Sequence, residues 1–237
     1  MLKILIVDDN LEFVQFLFNT IKKHNENDFI ITNIFSDGNN AYNYLSNNSP
    51  DVILLDLQMP KLNGIELISK LKDNNILPKI IIISGDTSLL HKIIKLGVNI
   101  EQVFYKPIDT TLLVKLLDKL MKEKNEDIIN REILKYLDKF YFNKSSPGYL
   151  YIFQCIKLCL DNNKLISPFE TNLYVQIAKQ NNIKSNKVIK WSIDKTISSM
   201  NKYTNSSTLN EFFPYSKVTP KIFINDIFQR ISMDMKK

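Results

Sequence analysis

Five polar residues in the first half of the chain follow apolar segments, where buried strands would end. Asp8 and Asp9 follow LKILIV, and Asp56 ends DVILLD. Ser84 follows KIIII, and Lys106 lies in VFYKP. Ligands bind at the carboxyl ends of the strands in open parallel sheets, so we expect these side chains to converge on one pocket. The carboxylates would bind a cation, while Ser84 and Lys106 would bind phosphoryl oxygens.

The carboxylates also predict a metal-assisted nucleophile. Two carboxylates beside a third supply the oxygen ligands of a hard divalent cation, and we expect Mg²⁺, which bridges readily to phosphate. Asp56 is followed by Leu-Gln-Met-Pro, a turn that would present the Asp56 side chain and the Gln58 carbonyl to the same ion. We therefore expect Asp56 to be the nucleophile. The expected Mg²⁺ ligands are Asp8, Asp9, Asp56 and the backbone carbonyl of Gln58.

Alternating strands and helices are needed to position these residues. Apolar segments predict five strands, at 3–7, 29–35, 51–56, 80–84 and 102–105. Each is followed by helical periodicity, near 11–24, 38–47, 63–73, 87–96 and 109–122. Five such units predict an α/β fold with a doubly wound, flavodoxin-like parallel sheet of five strands.

The motifs VDDN, DLQMPKLNG, SGD and YKP resemble the phospho-acceptor site of two-component receiver domains, over roughly residues 1 to 120. The resemblance implies these roles: phosphorylation of Asp56, metal binding by Asp8 and Asp9, a switch hydroxyl on Ser84 and a phosphate contact from Lys106. One position departs from the family, because the switch aromatic three places before the lysine is replaced by Val103.

An enzymatic alternative also begins with an aspartate nucleophile. Haloacid dehalogenase-like phosphatases place a second carboxylate two residues after the nucleophile, as a general acid. Here that position is Gln58, which cannot donate a proton in that way. The sequence therefore favours a phospho-acceptor over a hydrolase, and we expect no enzyme.

Length and charge indicate two different halves. The chain has 237 residues, of which 44% are hydrophobic and 24% charged, enough for two globular domains. Residues 1–120 contain 12 lysines and 14 acidic residues, a net charge of −2. Residues 121–237 contain 19 basic and 11 acidic residues, a net charge of +8, which favours a polyanion partner. No apolar run reaches the length of about 20 residues that spans a membrane, so we expect a cytoplasmic protein.

The second half is predicted to be all-α. The charged stretch 123–127 is interpreted as a linker between a first domain, 1–122, and a smaller second domain, 128–237, in which a new helix begins near Ile128. Another helix is expected after Ser167 as N-cap and Pro168 at its first position. Cys155 and Cys159, on one helix face, are expected to be buried free thiols.

A helix, a four-residue turn and a second helix predict a helix-turn-helix. Ile177, Ile183 and Val188 are expected to pack its corner. Residues 179–202 carry six lysines against the single acidic residue Asp194, which suits contacts to DNA phosphates. The expected DNA-binding residues are Lys184, Ser185, Asn186, Lys187 and Lys190, while Trp191 is expected to be in the core.

The stretches PGYLYIFQCI, NLYVQIAKQNNIKSNKVIKW and TPKIFINDIFQRI resemble the output domain of the stage zero sporulation protein A family. That family has a basic-Val-Glu-basic signature in its recognition helix. Residues 187–190 read Lys-Val-Ile-Lys, so the resemblance places Ile189 where the family has glutamate. The loop between Phe213 and Thr219 is also shorter than in the family.

Together these observations predict a two-component response regulator in which phosphorylation of Asp56 controls DNA binding and transcription in a sporulation-type programme. We expect a histidine kinase or, by the resemblance, a phosphotransfer protein as phosphodonor, and a homodimer on phosphorylation. The resemblance further implies contact with an RNA polymerase sigma factor. An alternative stays open: a receiver-controlled regulator whose second half binds protein and no longer recognises specific DNA. The lysines argue against the alternative, and Ile189 and the short loop argue for it.

Overall fold

The computed structural model describes residues 1–76, 78–85, 90–162, 168, 170–214 and 217–236. The chain divides into two compact units, Met1–Lys124 and Asn125–Lys237. The first unit is an α/β fold and the second is helical, as the sequence predicts.

The first unit contains five strands in the order β2-β1-β3-β4-β5, and all neighbouring pairs are parallel. The strands are β1 Leu2–Val7, β2 Phe29–Phe35, β3 Val52–Leu55, β4 Lys79–Ser84 and β5 Ile100–Tyr105. The helices between them are α1 Leu11–His24, α2 Gly38–Leu45, α3 Gly64–Asp73 and α4 Leu90–Leu96, and α5 Thr110–Leu137 follows β5. The doubly wound parallel sheet is therefore confirmed.

Helices cover both faces of the sheet. Residues of α1 and α5, including Leu17 and Leu117, pack on one face, and residues of α2, α3 and α4, including Leu45 and Leu67, pack on the other. The strand β3 is buried along its whole length. Strands buried on both faces are continuous apolar runs, which is why the first residue able to carry chemistry in each run comes at its end.

The helix α5 corrects the predicted linker. Residues 123–127 lie within this continuous helix of 28 residues, and no new helix begins at Ile128. Glu123 forms an ion pair with Lys79 at 2.6 Å, and Lys124 forms one with Asp51 at 2.6 Å. Lysine and glutamate have high helix propensity, so a charged stretch without a wide apolar face continues the helix here. The boundary between the compact units lies inside the helix, after Lys124.

The second unit packs its helices around an aromatic-rich core. They are the end of α5, α6 Pro147–Asp161, a π-helical turn Glu170–Tyr174, α7 Val175–Gln180, α8 Asn186–Tyr203, α9 Ser206–Phe212 and α10 Pro220–Asp234. Phe140, Phe212 and Phe223 form edge-on ring pairs at 5.0 and 5.1 Å. The short helix α9 is an addition to the predicted elements, and its signal is the N-cap Asn205, whose side chain accepts from the Ser207 backbone. The predicted N-cap Ser167 lies outside the described residues.

Cys155 and Cys159 are free and buried, as expected. Both thiols lie on α6 in the core of the second unit. Burial raises the pKa of Cys159 to about 12, and it raises the pKa of Cys155 further, so both remain protonated at neutral pH.

Candidate functional site

The structure brings the predicted polar residues together at the carboxyl edge of the sheet. Asp8, Asp56 and Ser84 are buried there, while Asp9 is exposed. Carboxylate oxygens of Asp8, Asp9 and Asp56 lie within 4.8 Å of one another. We call the set of Asp8, Asp9, Asp56, Ser84 and Lys106 the acceptor pocket.

Lys106 bridges two of the carboxylates. Its Nζ donates to Asp8 Oδ2 at 2.7 Å and to Asp56 Oδ2 at 2.6 Å. Burial works against the charge of this ammonium group, but the hydrogen bonds to Asp56 and Asp8 outweigh burial, so the Lys106 pKa is raised. The lysine therefore stays protonated and holds the acceptor carboxylate by an ion pair.

One lysine does not neutralise three carboxylates. Burial raises the pKa of Asp8, although hydrogen bonds from Lys106 and from the Asn10 backbone oppose the shift. A closely spaced oxygen set with excess negative charge fits a hard divalent cation such as Mg²⁺. Gln58, the fourth expected ligand, is exposed in the loop after Asp56.

Backbone contacts hold the acceptor loop in place. The Gln58 amide donates to Asp56 Oδ1 at 3.1 Å, and the Gly64 amide donates to the Leu57 carbonyl at 3.1 Å. A Cβ on Gly64 would overlap the Asp56 carbonyl oxygen. A residue without a side chain is required here because the start of α3 passes directly against the backbone of the acceptor. The amide of Lys106 donates to the Ser84 carbonyl at 3.1 Å, which joins the two positions that the sequence predicts to bind phosphate.

Two contacts of this site were missed by sequence reasoning. The Lys106 Nζ lies 4.5 Å from the centroid of the Phe13 ring, on α1. The buried Asp37, N-cap of α2, accepts from Lys61 Nζ at 2.8 Å, which ties the loop after the acceptor to α2. A cap signal at Asp37 is visible in the sequence, but neither pairing is, because the partners are far apart along the chain. Val103 is half-buried in β5, where the family's switch aromatic would be.

In the second unit the predicted helix, turn and helix are present. α7 ends at Gln180 and α8 begins at Asn186, with Ser185 as N-cap accepting from the Lys187 backbone. Ile177 and Ala178 are buried at the corner, and Ile183 packs against the same core. This geometry is that of a helix-turn-helix, so we call α8 the recognition helix.

The exposure of the recognition helix corrects three expectations. Val188 is 48% exposed and does not pack the corner, whereas Ile189 is fully buried and does. Trp191, expected in the core, is 63% exposed. Because Ile189 faces the core, it does not replace a surface glutamate of the family, and the residues that can reach a ligand are its neighbours.

The predicted DNA-binding residues lie at the start of the recognition helix. Lys184, Lys187 and Lys190 are exposed, while Ser185 and Asn186 are partly exposed. In the part of the chain that the structure describes, no helix combines the length and apolar composition needed to cross a membrane.

Known proteins match both units. The model of the response regulator receiver domain matches residues 4–118. The model described as sporulation initiation factor Spo0A C terminal matches residues 133–231. A five-stranded sheet with the acceptor pocket at its carboxyl edge, joined to this output domain, defines a response regulator. The chain belongs to the Spo0A-type response regulators.

Individual relatives match part of the chain. Response regulator ArlR of Staphylococcus saprophyticus is 29% identical over 149 residues, 62% of this chain. The chain spans 65% of the length of that curated relative. The N-terminal domain of an uncharacterized protein from Wolinella succinogenes is 31% identical, with a TM-score of 0.47, over 53% of this chain and 98% of that one. The receiver domain of Francisella response regulator 1452 is 30% identical, with a TM-score of 0.45, over 52% and 99%.

Proposed function

We propose that phosphorylation of Asp56 controls DNA binding by the second unit, and thereby transcription. The observation that carries the proposal is the bridge from Lys106 to Asp8 and Asp56, at the carboxyl edge of a receiver sheet. The bridge leaves a nucleophilic carboxylate beside an ammonium group that can bind a phosphoryl oxygen.

The phosphodonor is a phosphohistidine of a kinase or phosphotransfer protein, or a small phosphodonor. A carboxylate oxygen of Asp56 attacks phosphorus, the phosphorus–nitrogen bond breaks, and its electron pair stays on the imidazole, which takes up a proton. Asp8, Asp9, Asp56 and the Gln58 carbonyl would hold Mg²⁺, whose chemistry here is to neutralise charge on the transferring group.

The product explains how the site could signal. The phosphoryl group of an acyl phosphate carries about 1.5 to 2 negative charges in place of the single charge of the carboxylate, and it brings new acceptor oxygens beside Lys106. The ammonium group then shifts its bonds from the carboxylates to the phosphoryl group, and the Ser84 hydroxyl follows. Such movements at the ends of β4 and β5 alter the adjoining surface, and we propose that this altered surface pairs two copies of the chain.

Two copies would bring two recognition helices to neighbouring DNA half-sites, where effective concentration raises affinity. Lys184, Lys187, Lys190 and Lys195 are exposed on or just before α8. Lysines in this arrangement suit phosphate contacts in the major groove. The match to the Spo0A C-terminal model supports a sporulation-type programme and a contact with an RNA polymerase sigma factor.

The test compares the full-length protein with Asp56→Asn on duplex DNA, each after treatment with Mg²⁺ and a small phosphodonor. We expect tighter binding by the treated wild type, a fall in its affinity of about a hundredfold between about 50 and 200 mM salt for four phosphate contacts, and no response in Asp56→Asn. Absence of salt-dependent binding by either protein would favour the protein-interaction regulator instead.

A further inference from the structure

The recognition helix exposes two apolar side chains among its lysines. Val188 and Trp191 are separated by three positions and therefore share one face of α8. Lys187 and Lys190 flank them, and Lys195 Nζ lies 5.0 Å from the centroid of the Trp191 ring. We call this set of five residues the reading face.

The fold does not require these two apolar residues. The opposite side of α8, with Ile189, Ile193 and Ile197, already fills the core of the second unit. An indole with 63% of its surface in water contributes little to that core, so its place on the surface points to a ligand.

The chemistry of the reading face limits what it can recognise. Arginine, which reads guanine with two parallel donors, is absent from residues 184–203. Lysine supplies charge without a planar fork, which suits phosphates. Apolar side chains in the major groove can contact the thymine 5-methyl group, a feature that no other base of unmodified DNA has.

We infer that Val188 and Trp191 read thymine methyl groups while the surrounding lysines bind the phosphates on either side. This inference rests on the proposed DNA binding and extends it to the class of site, which is rich in thymine rather than built on guanine contacts. The lysines favour DNA over a protein partner as the occupant, because an aromatic docking site for protein would not need cations around its rim.

The experiment removes the methyl group and nothing else. Full-length protein, treated with Mg²⁺ and phosphodonor, selects sites from random duplex DNA, and the preferred site is then prepared with thymine or with deoxyuridine. We expect the selected sites to contain thymine at fixed positions. Affinity should fall about fourfold for each contacted methyl group that is lost.

Variants assign the effect to residues. Trp191→Ala should weaken binding to the thymine site and leave binding to the deoxyuridine site almost unchanged, so its thymine preference should shrink to the part that Val188 supplies. Tyr203→Ala is the matched control, because Tyr203 is an aromatic residue at the other end of α8 with 57% exposure. It should keep the full preference. Both variants should unfold at the wild-type temperature.

Other outcomes separate this inference from the proposed function. Salt-dependent DNA binding with equal affinity for thymine and deoxyuridine sites would overturn the inference and leave the proposed function standing. A Trp191→Ala variant that keeps the full preference for thymine would also overturn the inference and leave the proposed function standing. Folded protein without salt-dependent DNA binding would overturn both.

Discussion

In the acceptor pocket Lys106 is bonded to the buried carboxylates of Asp8 and Asp56, whereas on the recognition helix the lysine side chains are exposed. Lys106 holds Asp8 and Asp56 at hydrogen-bond distance. Lys187 and Lys190, in contrast, are exposed on a helix whose other face is core. Removing one partner of a buried ion pair leaves a charge uncompensated, while replacing an exposed lysine changes stability little.

This difference determines how a substitution affects each of the two regions. In the pocket, the bonds from Lys106 to Asp8 and Asp56 stabilise the fold and also hold the carboxylate that we propose is phosphorylated, so a substitution there should affect both. On the recognition helix, Ile189 serves the fold and Trp191 is exposed. Substitutions on the exposed face of α8 should therefore alter its ligand with little effect on stability.

The largest effect is expected at the acceptor. Asp56→Asn should abolish Mg²⁺-dependent labelling by a small phosphodonor, because an amide lacks the nucleophilic oxygen while keeping the size of the side chain. Phosphate-affinity electrophoresis measures the label. Asp73→Asn, an exposed carboxylate at the end of α3, is the matched control and should label like wild type. Label that persists on Asp56→Asn would show that the nucleophile is another residue.

Two glycine substitutions test whether a change in one unit leaves the activity of the other unit unaffected. A Cβ on Gly64 would overlap the Asp56 carbonyl oxygen, and one on Gly148 would overlap Thr196 Oγ1 and the Ser192 carbonyl oxygen. Gly64→Ala should slow labelling, whereas Gly148→Ala should destabilise the second unit by about 1 to 3 kcal/mol and weaken DNA binding.

The control for the glycine pair is Gly85→Ala, because a Cβ there has no neighbour within 4 Å among the residues that the structure describes. Thermal unfolding and labelling should be measured on all three variants. If Gly148→Ala slowed labelling as much as Gly64→Ala does, the two units would not be independent in the way the comparison requires.

A smaller effect is expected from Lys106→Ala. Without the ammonium group, Asp8 and Asp56 lose their shared donor, but the nucleophilic oxygen remains. Labelling should continue at a reduced rate, while the change in oligomeric state measured by size-exclusion chromatography should be lost. Lys61→Ala, which removes a lysine bonded to Asp37 rather than to the acceptor, should keep that change. Equal assembly of labelled Lys106→Ala and wild type would contradict the role given to this lysine.

The smallest effect concerns the thiols on α6. Burial raises the pKa of Cys159 to about 12, so at pH 8 only about one thiol in ten thousand is ionised. We expect no reaction of Cys155 or Cys159 with an alkylating reagent in the folded protein, and reaction of both in urea, measured by mass spectrometry. From a very low value, the rate should rise about tenfold with each pH unit below that pKa, because the thiolate is the reacting form. Rapid alkylation at pH 8 would show that the core of the second unit opens more readily than its burial indicates.

The strand ends could be predicted because a strand buried on both faces is a nearly continuous apolar run, so the polar residues that follow it mark its end. β3 is apolar throughout and β1 is apolar except for the exposed Lys3, and Asp56 and Asp8 follow these strands immediately. The helix through 123–127 was not predictable from apolar periodicity, because ion pairs from Glu123 and Lys124 stabilise it in place of a wide apolar face.

The sequence by itself determined the order of strands and helices in the first unit, the helix-turn-helix and the set of polar residues that meet at one edge of the sheet. Only the tertiary structure decided which face of α8 is buried, because each residue turns a helix by about 100° and a one-position error moves a side chain from core to solvent. Ile189 and Trp191 exchanged their expected places for that reason. The contacts of Lys106 with Phe13 and of Lys61 with Asp37 likewise depend on packing between distant segments, which local pattern does not encode.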